Sequence, residues 1–500
     1  MLLENTNDLE VWWVTGSQHL YGPEVLNNVA EHTQIIVSFL NNLNKLPLRI
    51  FSTGVVASSE EIHQICDKAN SSKKCIGVIF WMHTFSPAKM WIRGLKELQK
   101  PILHFHTQFN AKIPWETIDM DFMNENQSAH GGREFGFMMS RMKKDRKIVV
   151  GHWKDNKIHD KLCDWCNVVV GYHALKHAKV ARIGDNMREV AVTEGDKVAA
   201  QFKFGFTVEG YGIGDLVEHI NEVSSQDVRY LIEQYQKEYH FDIDIQKHTS
   251  VTEAAKIELG LRQFLKVVNA TAFTTTFENL HGMNQLPGIS VQRLMKEGYG
   301  FGAEGDWKTA ALLYALKTMS VGLEGGTSFM EDYTYHFDSD QSLVLGSHML
   351  EVCPSIAAKK PFCEVHPLSI GGKANPARLV FDVGEGAAIN VSLIDLGNRF
   401  RMICNEVDII NPPKNLPKLP TARALWKPKP NFETAIEAWI YAGGAHHTVF
   451  SKALKTTHIV DLCEMLDIEL IIIDNATGLS SLKNQLKTNE VFYQNRLNLS

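Results

Sequence analysis

Between residues 1 and 170, short runs of β-branched and aromatic residues alternate with longer amphipathic stretches, and this alternation constrains the fold more than any other feature. The strand-sized runs are Val11–Val14, Leu48–Phe51, Ile76–Trp81, Ile102–Phe105 and Ile148–Val150. Helical patterns such as Pro23–Leu43 and Pro87–Leu98 lie between them, the second with Ser86 as N-cap and Pro87 as its first residue. Strand–helix alternation implies a doubly wound parallel sheet. In such sheets ligands sit beyond the carboxyl ends of the strands. That rule puts Gly16–Gly22, His83–Ser86 and His106–Gln108 along one rim.

A chain of 500 residues is longer than one core usually supports. A second α/β segment follows the first, with strands expected at Val180–Ile183, Val198–Phe206 and Ala272–Thr276. Helices are expected around 215–238, 252–268, 288–297 and 307–319. From about residue 326 the pattern turns strand-rich, with Ala377–Val383, Ala388–Ile394 and Phe400–Ile409, which suggests a β-barrel-like domain. Asn411–Pro430 holds six prolines and reads as an extended surface connection; a helix pair and the strand Ile468–Ile473 close the chain. The expected architecture is two doubly wound α/β domains, 1–170 and 171–325, followed by a β-rich domain, 326–500.

Composition removes several classes of function. A net charge of −6 gives no basic footprint for nucleic acid and no polybasic membrane anchor. The apolar runs are strand-sized, well short of the ~20 residues of a membrane span, and no secretory leader is visible, so a cytoplasmic location is expected. Eight dispersed cysteines then read as free thiols, and Cys163-Asp-Trp-Cys166 as packing.

The chemistry concentrates in the second half. Gly300-Phe-Gly302-Ala-Glu-Gly305 matches a dinucleotide fingerprint as a string, but a helical run precedes it where the motif needs a strand. Phe329–Phe337 and Ser342–Cys353 read as a hairpin around Asp338-Ser339-Asp340-Gln341. A turn centred between Ser339 and Asp340 sets a register in which Glu331 faces His348, within reach of one cation. Glu331 lies on the aromatic face of its strand, where a charge is costly unless paired or metal-bound; Asp332 and His336 point to the other face and read as surface residues. Glu304 precedes a helix capped by Asp306. In Ala442-Gly-Gly-Ala-His446-His447, adjacent side chains diverge, so one histidine is read as a ligand and the other as a substrate contact. Two glutamates and two histidines suit a divalent cation such as Mn²⁺. Ala129–Glu134 combines His130 with a turn opening a helix Glu134–Met142 and reads as a candidate substrate loop.

Long strings across the chain resemble the L-arabinose isomerase family: GSQHLYGPE (16–24), WMHTFSPAKMW (81–91), DMDFMNENQSAHGGREFGF (119–137), GDNMREVAVTEGDKVAAQ (184–201), EGDWKTAALL (304–313), GGTSFMEDYTYHF (325–337), LGSHMLEVCPSIA (345–357) and AGGAHHTVF (442–450). The resemblance implies one Mn²⁺ per subunit on Glu304, Glu331, His348 and His447, with Glu304 and Glu331 exchanging protons with the substrate. It implies sugar contacts at Gln18, Phe85, His130, Met187, Phe277 and His446. It further implies conversion of L-arabinose to L-ribulose through an enediol, with D-galactose as a slow substrate, in a homo-oligomer (hexamer or tetramer) with active sites between subunits. A related isomerase for another sugar such as L-fucose, and a non-catalytic sugar-binding protein, are the competing readings.

Overall fold

The computed structural model describes residues 8–241, 244, 248–338, 341–368 and 372–497. Contacts divide the chain into two compact units, one within Glu4–His173 and the other from Ala174 onward. In the first, β1 (Glu10–Gly16), β2 (Arg49–Val56), β3 (Cys75–Met82), β4 (Ile102–His106) and β5 (Lys147–Val150) form a parallel sheet in the order β2-β1-β3-β4-β5. This is a doubly wound order whose direction reverses between β1 and β3. Every residue of the central strand β3 is buried, as a strand covered on both faces requires.

The carboxyl ends of β1, β3 and β4 fall at Gly16, Met82 and His106, so the three segments expected on the rim lie there. A Cβ on Gly16 would come within 2.6 Å of Met82 Sδ and 2.7 Å of the Trp91 ring, so only glycine fits that close approach. Two helix starts differ from expectation. Pro87 is extended (ψ 119°) and a short 3-10 turn, Ala88–Trp91, precedes the helix Ile92–Glu97; Ser86 caps nothing and instead accepts the Trp91 indole N–H. The helix expected from Glu134 runs from Ser128 to Arg141, so His130 lies inside its first turn.

The second unit opens on β6 (Lys179–Ile183), β7 (Thr207–Tyr211), β8 (His240–Phe241), β9 (Ala272–Thr275) and β10 (Gly300–Ala303). Four of these make a parallel sheet, β10-β9-β6-β7. Val198–Phe206 is no strand: Lys197–Phe204 is a helix. Asp196 accepts the N–H groups of Val198 and Ala199, and Gly205 ends the helix in the left-handed region, so the two caps override a composition that alternates like a strand. The glycine string at 300–305 is itself mostly strand, not a phosphate loop. A Cβ on Gly300 or Gly302 would lie 2.1 Å from the carbonyl oxygen of Ala310 or Asp306, so these glycines let the helix Trp307–Met319 rest directly on β10. Gly302→Ala is therefore expected to destabilise the protein by roughly 1–3 kcal/mol or more, read as a lower denaturation midpoint.

The strand-rich remainder comprises β11 (Thr327–His336), β12 (Leu343–Ser347), β13 (Phe362–Val365), β14 (Ala377–Val380), β15 (Gly386–Asp395), β16 (Phe400–Ile410), β17 (Arg423–Pro428), β18 (His447–Ser451) and β19 (Glu469–Ile473). Seven form a mixed sheet in the order β15-β18-β11-β12-β17-β16-β19, and β15 also pairs with β16, so six strands close a ring of pairings. Met330, Val344, Val407, Trp426 and Phe450 belong to its buried core. Strands β13 and β14 join β8 in a small separate sheet. The proline-rich stretch is an irregular connection only over 411–422, since its end is β17; β18 and the terminal helix Leu479–Leu497 were not anticipated. All eight cysteines are free, and no described helix is long and apolar enough to cross a membrane.

Candidate metal centre

Glu304 follows β10 with φ 59°, a left-handed conformation that costs a non-glycine residue energy and is retained where the surroundings enforce it. Here Met187 N–H donates to the Glu304 carbonyl at 3.0 Å, and Gly305 N–H donates to the Thr275 carbonyl. Asp306 then caps the next helix by accepting Thr309 N–H, as expected.

Glu331 lies mid-strand in β11, between two neighbours. On one side it pairs with His447, the first residue of β18. On the other it pairs with Ser347, not with His348. The expected hairpin register holds from His336 to Thr334, but a bulge at Tyr333 shifts it by one residue. Strand β12 ends at Ser347, short of the predicted Cys353, and His348 follows it. The turn centre itself, Ser339 and Asp340, lies outside the described residues.

The imidazole and carboxylate groups nonetheless converge. His348 Nε2 is 3.8 Å from Glu331 Oε2, and His447 Nε2 is 3.7 Å from Glu304 Oε2. The two rings lie 5.9 Å apart, each edge-on to Phe329 at 5.1 Å. Both histidines are buried, and neither Nε2 has a hydrogen-bond partner. A separation near 3.8 Å is too long for a hydrogen bond. It suits two ligand atoms each about 2.0–2.2 Å from a shared ion.

The opposite ring nitrogens are anchored. His348 Nδ1 is 2.5 Å from Glu351 Oε2, and His447 Nδ1 is 3.3 Å from Asp306 Oδ2. A carboxylate on Nδ1 fixes the tautomer that leaves the Nε2 lone pair free for a metal. Asp306→Asn and Glu351→Gln are each expected to weaken cation affinity about 10–100-fold, measured by titration of the apo protein.

A second grouping exists at the same place. Donor atoms of Glu304, His446 and His447 lie within 4.8 Å of one another, His446 Nε2 being 3.9 Å from Glu304 Oε2. This grouping leaves the unmatched Nε2 of buried His348 unaccounted for, and His446 in it is half-exposed.

Electrostatics follow from this crowding. Burial alone would raise the Glu304 carboxyl, but His446, His447 and His348 outweigh it and hold it below the usual carboxylate value. Burial likewise opposes ionisation of Asp306, yet Lys308 and His447 bring it down to about 2. Burial pushes His348 down, but Glu351, then Glu331 and Glu304, raise it above the ordinary histidine value. His446 is raised first by its contact with Glu304. Asp332, expected on the surface, is half-buried, accepts Asn390 Nδ2 at 3.0 Å, and is pushed up to about 7 by burial and then by Glu331. His336 is exposed as expected.

Among the expected sugar contacts, Met187 supports the Glu304 backbone, and Phe277 lines a small cavity with Glu304, His348 and Glu351. Gln18, Phe85 and His130 belong to the N-terminal unit, where the Phe85 and His130 rings stack at 4.4 Å. Sequence reasoning missed Glu351, the second role of Asp306, and Asn186. The buried Asn186 amide donates to the carbonyls of Gly305 and Thr193 and so clamps the Glu304 turn. The spacing of Glu351 three residues after His348 was its only signal in the sequence.

L-arabinose isomerase N-terminal, central and C-terminal domains match residues 5–177, 179–322 and 326–469. An L-arabinose isomerase from Geobacillus kaustophilus (strain HTA426) is 59% identical over 493 residues, covering 97% of this chain and 99% of that protein. The chain belongs to the L-arabinose isomerase family. Other members of that family, from Herpetosiphon aurantiacus and Klebsiella pneumoniae, are each 56% identical, covering 97% of this chain and 97% and 98% of their own lengths. The family's match thus extends across the turn at Glu304, the hairpin and the His446-His447 pair.

Proposed function

We propose that Glu304, Glu331, His348 and His447 hold one divalent cation per subunit, Mn²⁺ by preference, and that the two glutamates move the protons of an aldose–ketose isomerisation. As a member of the L-arabinose isomerase family, the chain is an isomerase that interconverts L-arabinose and L-ribulose. The observation that carries the metal reading is the pair of buried Nε2 atoms without hydrogen-bond partners, each facing a carboxylate at 3.7–3.8 Å. When bound, a divalent cation supplies the polarisation of the sugar's carbonyl and hydroxyl oxygens that makes C2–H acidic enough to remove.

The residues do the rest. One of Glu304 and Glu331 takes the proton from C2 and returns it at C1, while the O2–H proton passes to O1 so that the enediol becomes the ketose, each carbon transfer contributing about 10²–10⁴-fold. Glu304 is held ionised by its histidines, the state from which a base must start, at the cost of a lower proton affinity. Met187, Phe277 and His446 contact the sugar; Gln18, Phe85 and His130 are proposed sugar contacts of the N-terminal unit, taken by itself. The wider proposal is a cytoplasmic homo-oligomer, hexamer or tetramer, with active sites at subunit interfaces, acting at the first step of L-arabinose breakdown. Its domains are 1–170, 171–325 and 326–500, the last a β-barrel whose basis is the closed ring of strand pairings.

Ketose formation from L-arabinose, L-fucose and D-galactose by the purified protein with Mn²⁺ tests the reading. L-Ribulose should form fastest, with D-tagatose forming slowly. Turnover of L-fucose alone would indicate a related isomerase, and binding of L-arabinose without any ketose would indicate a sugar-binding protein.

A further inference from the structure

We propose that the N-terminal unit carries a divalent-cation site of its own, formed by His32, His83 and Glu125. His32 lies in the helix Gly22–Asn42, His83 directly follows β3, and Glu125 ends the helix Met120–Glu125, so three separate stretches meet at one point. His32 Nδ1 and His83 Nε2 are 2.7 Å apart, and His32 Nδ1 is 3.7 Å from Glu125 Oε1. One donor atom from each of the three lies within 4.8 Å of the other two.

The groups are held from outside. The His83 ring stacks on Trp81 (4.5 Å, 12°) and the His32 ring on Phe109 (3.6 Å, 12°). Asn28 Nδ2 donates to Glu125 Oε2 at 3.1 Å, which leaves Oε1 to the histidines. His83 is fully buried, yet its Nδ1 has no hydrogen-bond partner.

Chemistry points the same way. Burial, then the neighbouring His32, brings His83 down to about 3, and burial lowers His32 despite Glu125 and Glu31. Both rings are therefore neutral at pH 7; the proton shared in the 2.7 Å His32–His83 hydrogen bond moves to the far nitrogen of its ring when both rings ligate. Two imidazoles and one carboxylate favour Zn²⁺, Co²⁺ or Ni²⁺ over the oxygen-seeking Ca²⁺ and Mg²⁺. An ion between the nitrogens would widen their separation to roughly 3.2 Å, a shift of about half an ångström for bonds near 2.0–2.1 Å. His32 and Glu125 keep 18% and 20% of their side-chain surface exposed, which gives an ion a way in and leaves positions for water. Such an ion would tie the loop carrying Phe85 to the segment leading into His130.

The test is a count of Co²⁺ per subunit on the full-length protein, by elemental mass spectrometry after loading and desalting. Wild type should hold two ions. His32→Phe, which preserves stacking on Phe109, and Glu125→Gln should each hold one, with loss of part of the visible Co²⁺ absorption. His447→Ala should lose the other ion and keep this one, so failure of either centre is read separately. Circular dichroism checks folding, and Glu125→Gln decides if His32→Phe misfolds. Two ions retained in Glu125→Gln, or a wild-type count whose only loss occurs in His447→Ala, overturns the proposal.

Discussion

Chelation is expected to abolish L-ribulose formation, and added Mn²⁺ to restore it. A C2–H bond beside a hydroxyl is weakly acidic, and two carboxylates in one pocket cannot by themselves stabilise the negative charge that develops. Lewis-acid polarisation is worth several kcal/mol, which corresponds to roughly 10³-fold or more in rate. The fold should survive, because the cores rest on apolar contacts that need no cation. Thermal unfolding should still respond, since a cation at a hundred times its Kd stabilises the native state by about 2.7 kcal/mol. Unchanged turnover in chelated protein of verified low metal content would remove the metal from the mechanism.

Glu304→Gln and Glu331→Gln are expected to lower kcat by about 10²–10⁴-fold each, with the melting profile close to wild type. Glutamine keeps the shape and one ligand oxygen but can neither accept nor release the proton. The two losses should not add, because both residues serve one proton relay and one cation. Metal content must be measured beside kcat, because a variant that merely loses its ion would be rescued by excess Mn²⁺. Near-normal kcat in either variant would contradict the acid–base assignment.

Much of this was legible in the sequence. The parallel N-terminal sheet followed from alternation alone, because the central strands β3 and β4 are buried almost throughout and each crossover is long enough to be a helix. The site was legible as a set of residues but not as a geometry. Counting back from a turn cannot foresee the bulge at Tyr333, which moves Glu331 opposite Ser347 and makes His447 its partner on the other side. The strand Gly300–Ala303 was not foreseen; the reason for glycine there is the helix lying on it, a tertiary constraint. Val198–Phe206 was misread because two cap residues decide its helix. Asp332 looked like a surface residue from its face, yet Asn390 from β15 partly covers it.

The most direct measurement is anomalous diffraction at the manganese edge from crystals grown with Mn²⁺. A single strong peak, about 2.0–2.3 Å from one oxygen each of Glu304 and Glu331 and from Nε2 of His348 and His447, is the expected result. A peak ligated by Glu304, His446 and His447 with Glu331 and His348 out of reach, or no peak near these residues, would contradict it.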